Sequence, residues 1–370
     1  MRDSAVTART TTLRGVDAGR YYVESKLGYY LDRAEPPGVW RGAGAEALGL
    51  GGSIDEDDFL DLMAGVDPRT GALLGSRHTD RTTRGFDVTC SAPKSVSVLF
   101  AFGDADQRAE VLAAHDAAVD AVVGWMETHA HVRYRVAGQV CAFDADGIVA
   151  ALFRQHSSRA LDPQLHTHVV IPNRVLSPDG RWLALDARTI KRDQQTLSRL
   201  YHAGLRAETT RRLGVRWADP VNGIAEIADV PSVVLGEFST RTRQVDARID
   251  EKLERFVETF ERPPTPQERW RLEREAVLDS RPAKADTDPA TLEEEWLARL
   301  DGLGVDRRAL VTAAIEQAEP TPAGGEDLAQ HVVDRALAAL AERQSTWRPA
   351  DSSGSLPAPC PLDSASRRTS

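Results

Sequence analysis

Between residues 85 and 90 the chain reads Gly-Phe-Asp-Val-Thr-Cys, an apolar position alternating with a polar one. A period of two marks a strand with one buried face. Similar runs occupy 132–143 and 147–156, and Asp144-Ala-Asp-Gly147 between them predicts a hairpin turn. A second strand pair is expected over 165–176 and 181–186, around Pro178-Asp179-Gly180. Helical periodicity covers 107–130 and 191–213. Ser91 reads as the N-cap of another helix, with Pro93 in its first turn. Near the start, Arg20 to Tyr30 predicts a helix that ends or kinks near Gly28. The Gly-rich stretch 41–53 predicts a loop of tight turns ahead of an acidic helix from Asp55 to Met63. From 216 on the pattern is mostly helical, with proline-rich breaks at 263–266 and 281–289. Residues 306–344 continue as a helical extension, and 345–370, rich in Ser, Pro and Arg without periodicity, are expected to be a disordered tail. Strands with helices set beside them give an α+β fold on an antiparallel sheet.

Composition narrows the class. The 370 residues suffice for one large domain or two ordinary ones. Hydrophobic residues make up 41% and charged residues 28%, which excludes disordered, collagenous and coiled-coil chains. No apolar run is long enough for a membrane span, and the N-terminus lacks the apolar core of a signal peptide. Cys90, Cys141 and Cys360 are scattered, with no CxxC pair. Neither a disulfide framework nor a cysteine zinc site is expected, and a cytoplasmic location fits. No GxxxxGK[ST] occurs, so ATP hydrolysis is not indicated.

The formal net charge of −10 argues at first against a nucleic-acid partner. Its distribution changes that. Residues 1–215 carry 26 basic and 27 acidic residues, and residues 216–370 carry 20 and 29. Within the near-neutral half, 181–212 holds eight basic residues against three acidic ones. Such a stretch is either a solvated helix face or a surface that tracks phosphates.

The chemistry concentrates in two places. His156, His166 and His168 fall within thirteen residues, and His166 and His168 are two apart in a strand-like run. Residues i and i+2 of a strand share a face, so both imidazoles converge. With His156 at the end of the preceding strand, three imidazoles would form a metal site with open positions. Asp162 and Gln164 are candidates to support it from behind. Four of the six tyrosines lie at 21, 22, 29 and 30. A tyrosine can act as a covalent nucleophile when a base or cation is near.

Taken in order, these motifs resemble the MobF-type conjugative relaxases, the TrwC/TraI-like group of the HUH endonuclease superfamily. The resemblance rests on Tyr21-Tyr22 and Tyr29-Tyr30, on Trp40-Arg41-Gly42 through Leu50, and on Gly85 through Ser97. It continues in His156 through His168 with Pro172-Asn173, Asp179-Gly180-Arg181-Trp182, and Leu213-Gly214-Val215. It covers roughly 15–305 and implies a relaxase domain over 1–305. That domain would be a five-stranded antiparallel palm sheet with flanking helices (about 1–215) and helical fingers (about 216–305).

The resemblance also implies an activity: nicking one DNA strand at a plasmid transfer origin through a 5′-phosphotyrosyl intermediate, then rejoining it. By position, Tyr21 matches the first nucleophile and Tyr29 the second, with Tyr22 and Tyr30 as their less favoured neighbours. Asp87 matches the carboxylate that takes the tyrosine proton or orients a histidine, and His156, His166 and His168 match the metal ligands. The expected cofactor is a divalent cation, Mg or Mn, with Zn or Ni compatible with imidazole donors. Lys94, Lys191 and Arg192 are candidate phosphate contacts. The expected partner is single-stranded DNA at the origin, with accessory relaxosome proteins, a separate helicase and a coupling protein as further partners. The family commonly continues into a helicase with Walker motifs, and this chain is expected to be relaxase only. A relaxase-fold DNA-binding protein without catalysis and a rolling-circle replication initiator are the alternatives, although initiators usually place the tyrosine after the histidine motif.

Overall fold

The structure, a computed structural model, describes residues 8–15, 17–23, 37–279 and 289–315. Its organising element is an antiparallel sheet of five strands. These are β1 (Ala8–Arg14), β2 (Val39–Arg41), β3 (Thr83–Ser91), β6 (Ala150–Ser157) and β7 (Pro163–Pro172), in the order β1-β3-β7-β6-β2. Strands β4 (His131–Val136) and β5 (Gln139–Asp144) form a separate hairpin, and β8 (Val175–Leu176) pairs with β9 (Trp182–Leu183). The fold is α+β, as the pattern predicts.

Each face of the sheet is buried by different helices. On one side lie α4 (Lys94–Phe102), α5 (Ala105–Thr128) and α7 (Gln194–Leu213). There Val88, Leu152, Val169 and Ile171 of the strands pack with Val111, Ala118, Leu197 and Leu205 of the helices. On the other side lie α1 (Arg20–Val23), α2 (Ala43–Ala47) and α3 (Glu56–Ala64), whose Tyr22, Phe59 and Leu62 pack with Trp40, Phe153 and Val170. Each buried Val, Leu, Ile or Phe side chain among these contributes roughly 1.5–3 kcal/mol. The chain then continues from α6 (Ala187–Arg192) and α7 into a helical region. Its elements are α8 (Ser232–Glu237), α9 (Thr240–Phe260), α10 (Pro266–Asp279), α11 (Pro289–Gly302) and α12 (Arg307–Ala314).

Four local expectations change. The run 132–143 is not one strand: it folds back at Ala137 (φ 50°) and Gly138 (φ 85°), the left-handed pair that a tight hairpin needs. Asp144–Gly147 instead leads from that hairpin into the main sheet. The Gly-rich stretch is not only loop, because it contains α2, seated against the start of β6. Gly42 (φ 94°) allows the approach, since a Cβ there would stand 2.4 Å from the Ile148 carbonyl oxygen. Ser91 ends β3 and pairs with His166, while Pro93 takes the N-cap of α4. The helix expected over 191–213 is two helices, broken at Asp193. The acidic helix forms as expected, with Asp55 accepting hydrogen bonds from the Asp57 and Asp58 amides as its N-cap. Of the helix expected over 20–30, Arg20–Val23 is described. Tyr29, Tyr30, most of the expected helical extension and the expected tail lie outside the described residues.

Candidate active site

Strand β7 is the middle of the sheet, and it carries the histidine pair. Its neighbours fix what stands beside each ring. Thr89 of β3 and Phe153 of β6 flank His168, and Ser91 and Gln155 flank His166. Directly opposed residues of antiparallel strands project to the same face. This face therefore presents Asp87, Thr89, His166, His168, Phe153 and Gln155. The His166 and His168 ring centroids are 5.2 Å apart.

Both rings are held from behind. His166 Nδ1 donates to the Gln164 carbonyl at 2.9 Å, and His168 Nδ1 donates to Asp87 Oδ2 at 2.9 Å. With the proton on Nδ1, each ring carries its lone pair on Nε2, the tautomer a cation needs. Thr89 Oγ1 lies 3.4 Å from Asp87 Oδ1 and 3.3 Å from His168 Nδ1, bracing the same pair. Two oriented imidazoles side by side suit a divalent cation.

The tyrosine helix α1 lies over this face. The Tyr22 hydroxyl donates to Asp87 Oδ2 at 2.9 Å, and its ring stacks on Phe153 at 5.5 Å. Tyr22 is only 6% exposed, so its hydroxyl is locked in place. Tyr21 is half-buried, and its ring meets His168 edge-on at 6.1 Å. The Arg159 guanidinium lies over the Tyr21 ring at 5.4 Å, which sets a cation beside it.

His156 is not brought to this face. It packs on the Phe100 ring at 4.8 Å, on the helical side of the sheet, and its Nε2 is sealed from solvent without a hydrogen-bond partner among the described residues. Burial, with Arg154 and Arg108 nearby, pushes its pKa down to about 4. Among the described residues no three His, Cys, Asp or Glu side chains stand together as a metal site. The expected three-histidine set is thus reduced to two, because the regular register that runs from Ala151 opposite Val170 puts Gln155, not His156, opposite His166, and the ladder becomes irregular only beyond that pair, between Gln155 and Ser157.

Lys94 is not a surface phosphate contact either. Its Nζ donates to the Pro163 carbonyl at 2.6 Å. Burial lowers its pKa to about 8 against the pull of Asp162 and Glu226. Arg192 forms a two-point pair with its neighbour Asp193, at 2.9 and 3.1 Å, and Lys191 lies beside it on α6. Much of the basic stretch is neutralised in the same way: Arg188 pairs with Asp186, and Arg211 and Arg212 pair with Glu208. Asp162 faces away from the histidines and accepts from Thr240 and Arg299 of the helical region, whereas Gln164 supports His166 through its carbonyl.

Residues 15–303 match the family model described as TrwC relaxase. The chain belongs to the TrwC relaxase family. It is 33% identical over 346 residues to the multifunctional conjugation protein TraI of Escherichia coli, and 34% identical over 346 residues to that of strain K12. Each alignment covers 88% of this chain, which spans 18% of the length of those curated relatives. Among solved structures, the conjugative relaxase TrwC in complex with oriT DNA, metal-bound, superposes with a TM-score of 0.68 at 30% identity, covering 81% of this chain and 99% of TrwC. A copper-bound TrwC–oriT complex gives a TM-score of 0.69 at 31% identity, with the same coverage.

Three residues outside the expected set stand at this site: Gln155, Thr89 and Arg159. Thr89 had a signal, since period two from Asp87 puts it on the same face. Gln155 and Arg159 had none, because strand register and loop packing are set by tertiary contacts.

Proposed function

We propose that this chain nicks and rejoins one strand of DNA at a transfer origin, with Tyr21 as the first nucleophile and Tyr29 as the second. The supporting observation is the position of Tyr21: a half-buried phenol with its ring edge against His168, beside Arg159, on the face that carries both oriented imidazoles. Tyr22 is the poorer nucleophile, because its hydroxyl is already bonded to Asp87 within the core.

The step is a transesterification. The Tyr21 oxygen attacks the scissile phosphorus, a P–O bond to tyrosine forms, and the bond to the 3′ oxygen breaks. The phenol loses its proton and the departing oxygen gains one. One phosphodiester replaces another, so the reaction runs backwards when the free 3′-OH attacks the phosphotyrosyl bond, and no ATP is required. His166 and His168 would hold a divalent cation, Mg or Mn, which offsets the charge developing on the phosphate oxygens. Asp87 keeps the His168 proton on Nδ1, and Arg159 is placed to meet a backbone phosphate next to Tyr21. The DNA partner, the accessory proteins and a helicase supplied separately belong to the same proposal, and the location that fits is the cytoplasm. Among the described residues no helix is long and apolar enough to cross a membrane.

The test uses single-stranded oligonucleotides tiled across the transfer origin of the element that encodes the chain, with Mg or Mn. A denaturation-resistant protein–DNA adduct is expected, lost when Tyr21→Phe and Tyr29→Phe are combined and strongly reduced by His166→Ala. An adduct that survives in the double tyrosine variant would overturn the assignment.

A further inference from the structure

We propose that the third protein donor of the metal site is the Gln155 side-chain amide oxygen, which makes the site a two-histidine, one-amide set. This rests on the reading above that His166 and His168 hold a cation.

Across β6 and β7 the opposed pairs are Phe153 with His168 and Gln155 with His166. Phe153 is visibly on the histidine face, since it stacks on Tyr22. Gln155 is two residues further along the same strand and therefore projects the same way, directly beside His166. It is 6% exposed, so its amide is committed to this interior. An amide oxygen is a neutral, hard donor that cations such as Mn and Mg accept readily.

The environment of His156 points the same way. Arg154, the alternate neighbour on β6, bonds to Asp116 of α5 at 2.6 Å, which identifies the helical side. His156 packs against Phe100 of α4 on that side. Burial and the Arg154 and Arg108 guanidinium groups both disfavour a positive charge at its ring. An imidazole in an apolar, cationic niche across the sheet has no route to the ion that His166 and His168 would share.

Donor chemistry gives the consequence. Replacing a third imidazole with an amide oxygen lowers affinity most for the nitrogen-preferring ions Ni, Cu and Zn, and least for Mn and Mg. The site is thereby biased towards hard cations.

Calorimetric titration of the full chain with Mn and with Ni, without DNA, tests this, with thermal melts to verify folding. His156→Phe is expected to keep the wild-type Mn affinity within about twofold. Gln155→Leu should weaken Mn binding about tenfold or more, and Gln155→His should tighten Ni binding about tenfold or more, the range over which site residues act. Loss of Mn binding in His156→Phe with full retention in Gln155→Leu would overturn the proposal. So would a Gln155→His variant whose Ni affinity is unchanged. The nicking reading fails separately: wild-type chain that binds Mn in this pattern yet forms no adduct with its origin DNA leaves the ligand assignment standing and removes the activity. Wild-type chain that binds neither ion overturns the ligand assignment and the cation's role together.

Discussion

The Tyr22 hydroxyl and the His168 Nδ1 both donate to the same oxygen of Asp87, each at 2.9 Å. One carboxylate oxygen thus fixes a tyrosine of the α1 pair and a histidine of the β7 pair in a single geometry. The arrangement separates the two adjacent tyrosines by function. Tyr22→Phe is expected to cost about 0.5–1.5 kcal/mol for one lost hydrogen bond, while adduct formation with origin DNA persists at a reduced rate. Tyr21→Phe should abolish the first adduct. Denaturing gels of both single variants, read beside urea unfolding, check this. Adduct formation lost in Tyr22→Phe and kept in Tyr21→Phe would reverse the roles.

How far the sequence could be read follows from which information is local. Alternation over 85–90 gives β3 correctly, because one buried face is a local property. The HxH pair is legible for the same reason. Gln155 and His156 are adjacent, and alternation demands that only one of them face His166. Which one depends on the register between β6 and β7, which tertiary contacts set. Lys94 fails differently. A lysine after Ser-Ala-Pro looks solvent-exposed in sequence, but the turn before β7 places the Pro163 carbonyl over it. The Asp144–Gly147 turn signal was outcompeted by Ala137-Gly138, where a non-glycine accepts φ 50°.

Lys94 gives the next prediction. A lysine that contacts a phosphate contributes close to one unit to the slope of log affinity against log salt. With its Nζ bonded to Pro163, Lys94→Met is expected to leave the salt slope of single-stranded DNA binding unchanged while lowering stability modestly. Fluorescence anisotropy at several salt concentrations measures the slope. A decrease of about 0.7 would return Lys94 to the DNA surface.

Asp162 joins the turn before β7 to the helical region. It is 1% exposed and accepts from the Thr240 amide at 2.6 Å, the Thr240 hydroxyl at 3.1 Å and Arg299 Nη2 at 3.0 Å. Arg299 also pairs with Glu237 at 2.8 Å, so it keeps a partner if Asp162 is lost. Asp162→Ala is therefore expected to cost about 2–3 kcal/mol, below the full penalty for stranding a buried charge. Asp162→Asn, which preserves the acceptor for Thr240, should cost about half as much. Urea unfolding reads both, and equal losses in the two variants would contradict the charge argument.

Buried histidines set the response to acid. Burial holds His115 well below its ordinary pKa and lowers His202 to about 4. Both are neutral in the folded chain, whereas in the unfolded chain they take up a proton below about 6.5. The unfolded state therefore binds more protons between pH 6.5 and 4, and stability falls as pH drops through that window. Above about pH 7.5 these groups add no pH dependence. Removing one of them should flatten the acid limb by up to about 1.4 kcal/mol per pH unit. Unfolding of wild-type chain and His202→Leu at pH 7.5, 6 and 5 tests this (the values are chosen to bracket the window), and parallel curves would refute it.

Thr167 stands between the two histidines on β7 and points to the opposite face. There its hydroxyl hydrogen-bonds His115 Nε2 at 2.7 Å, and His115 Nδ1 hydrogen-bonds the Tyr201 hydroxyl at 2.8 Å. All three residues are buried, so the chain from β7 through α5 to α7 has no water to replace a lost partner. Thr167→Val and Tyr201→Phe each remove one hydroxyl with little change of shape, and each leaves a His115 nitrogen unpaired. Each should cost about 1–3 kcal/mol. Because one imidazole links both bonds, the losses should not add. Once one hydroxyl is gone, His115 can adopt the tautomer or tilt that best serves the other, so the double variant is expected to fall short of or exceed the sum by at least about 0.5 kcal/mol. A double-mutant cycle by urea unfolding measures that difference. Strict additivity would mean that the polar chain behind the strand carrying His166 and His168 contributes two independent bonds rather than one coupled support.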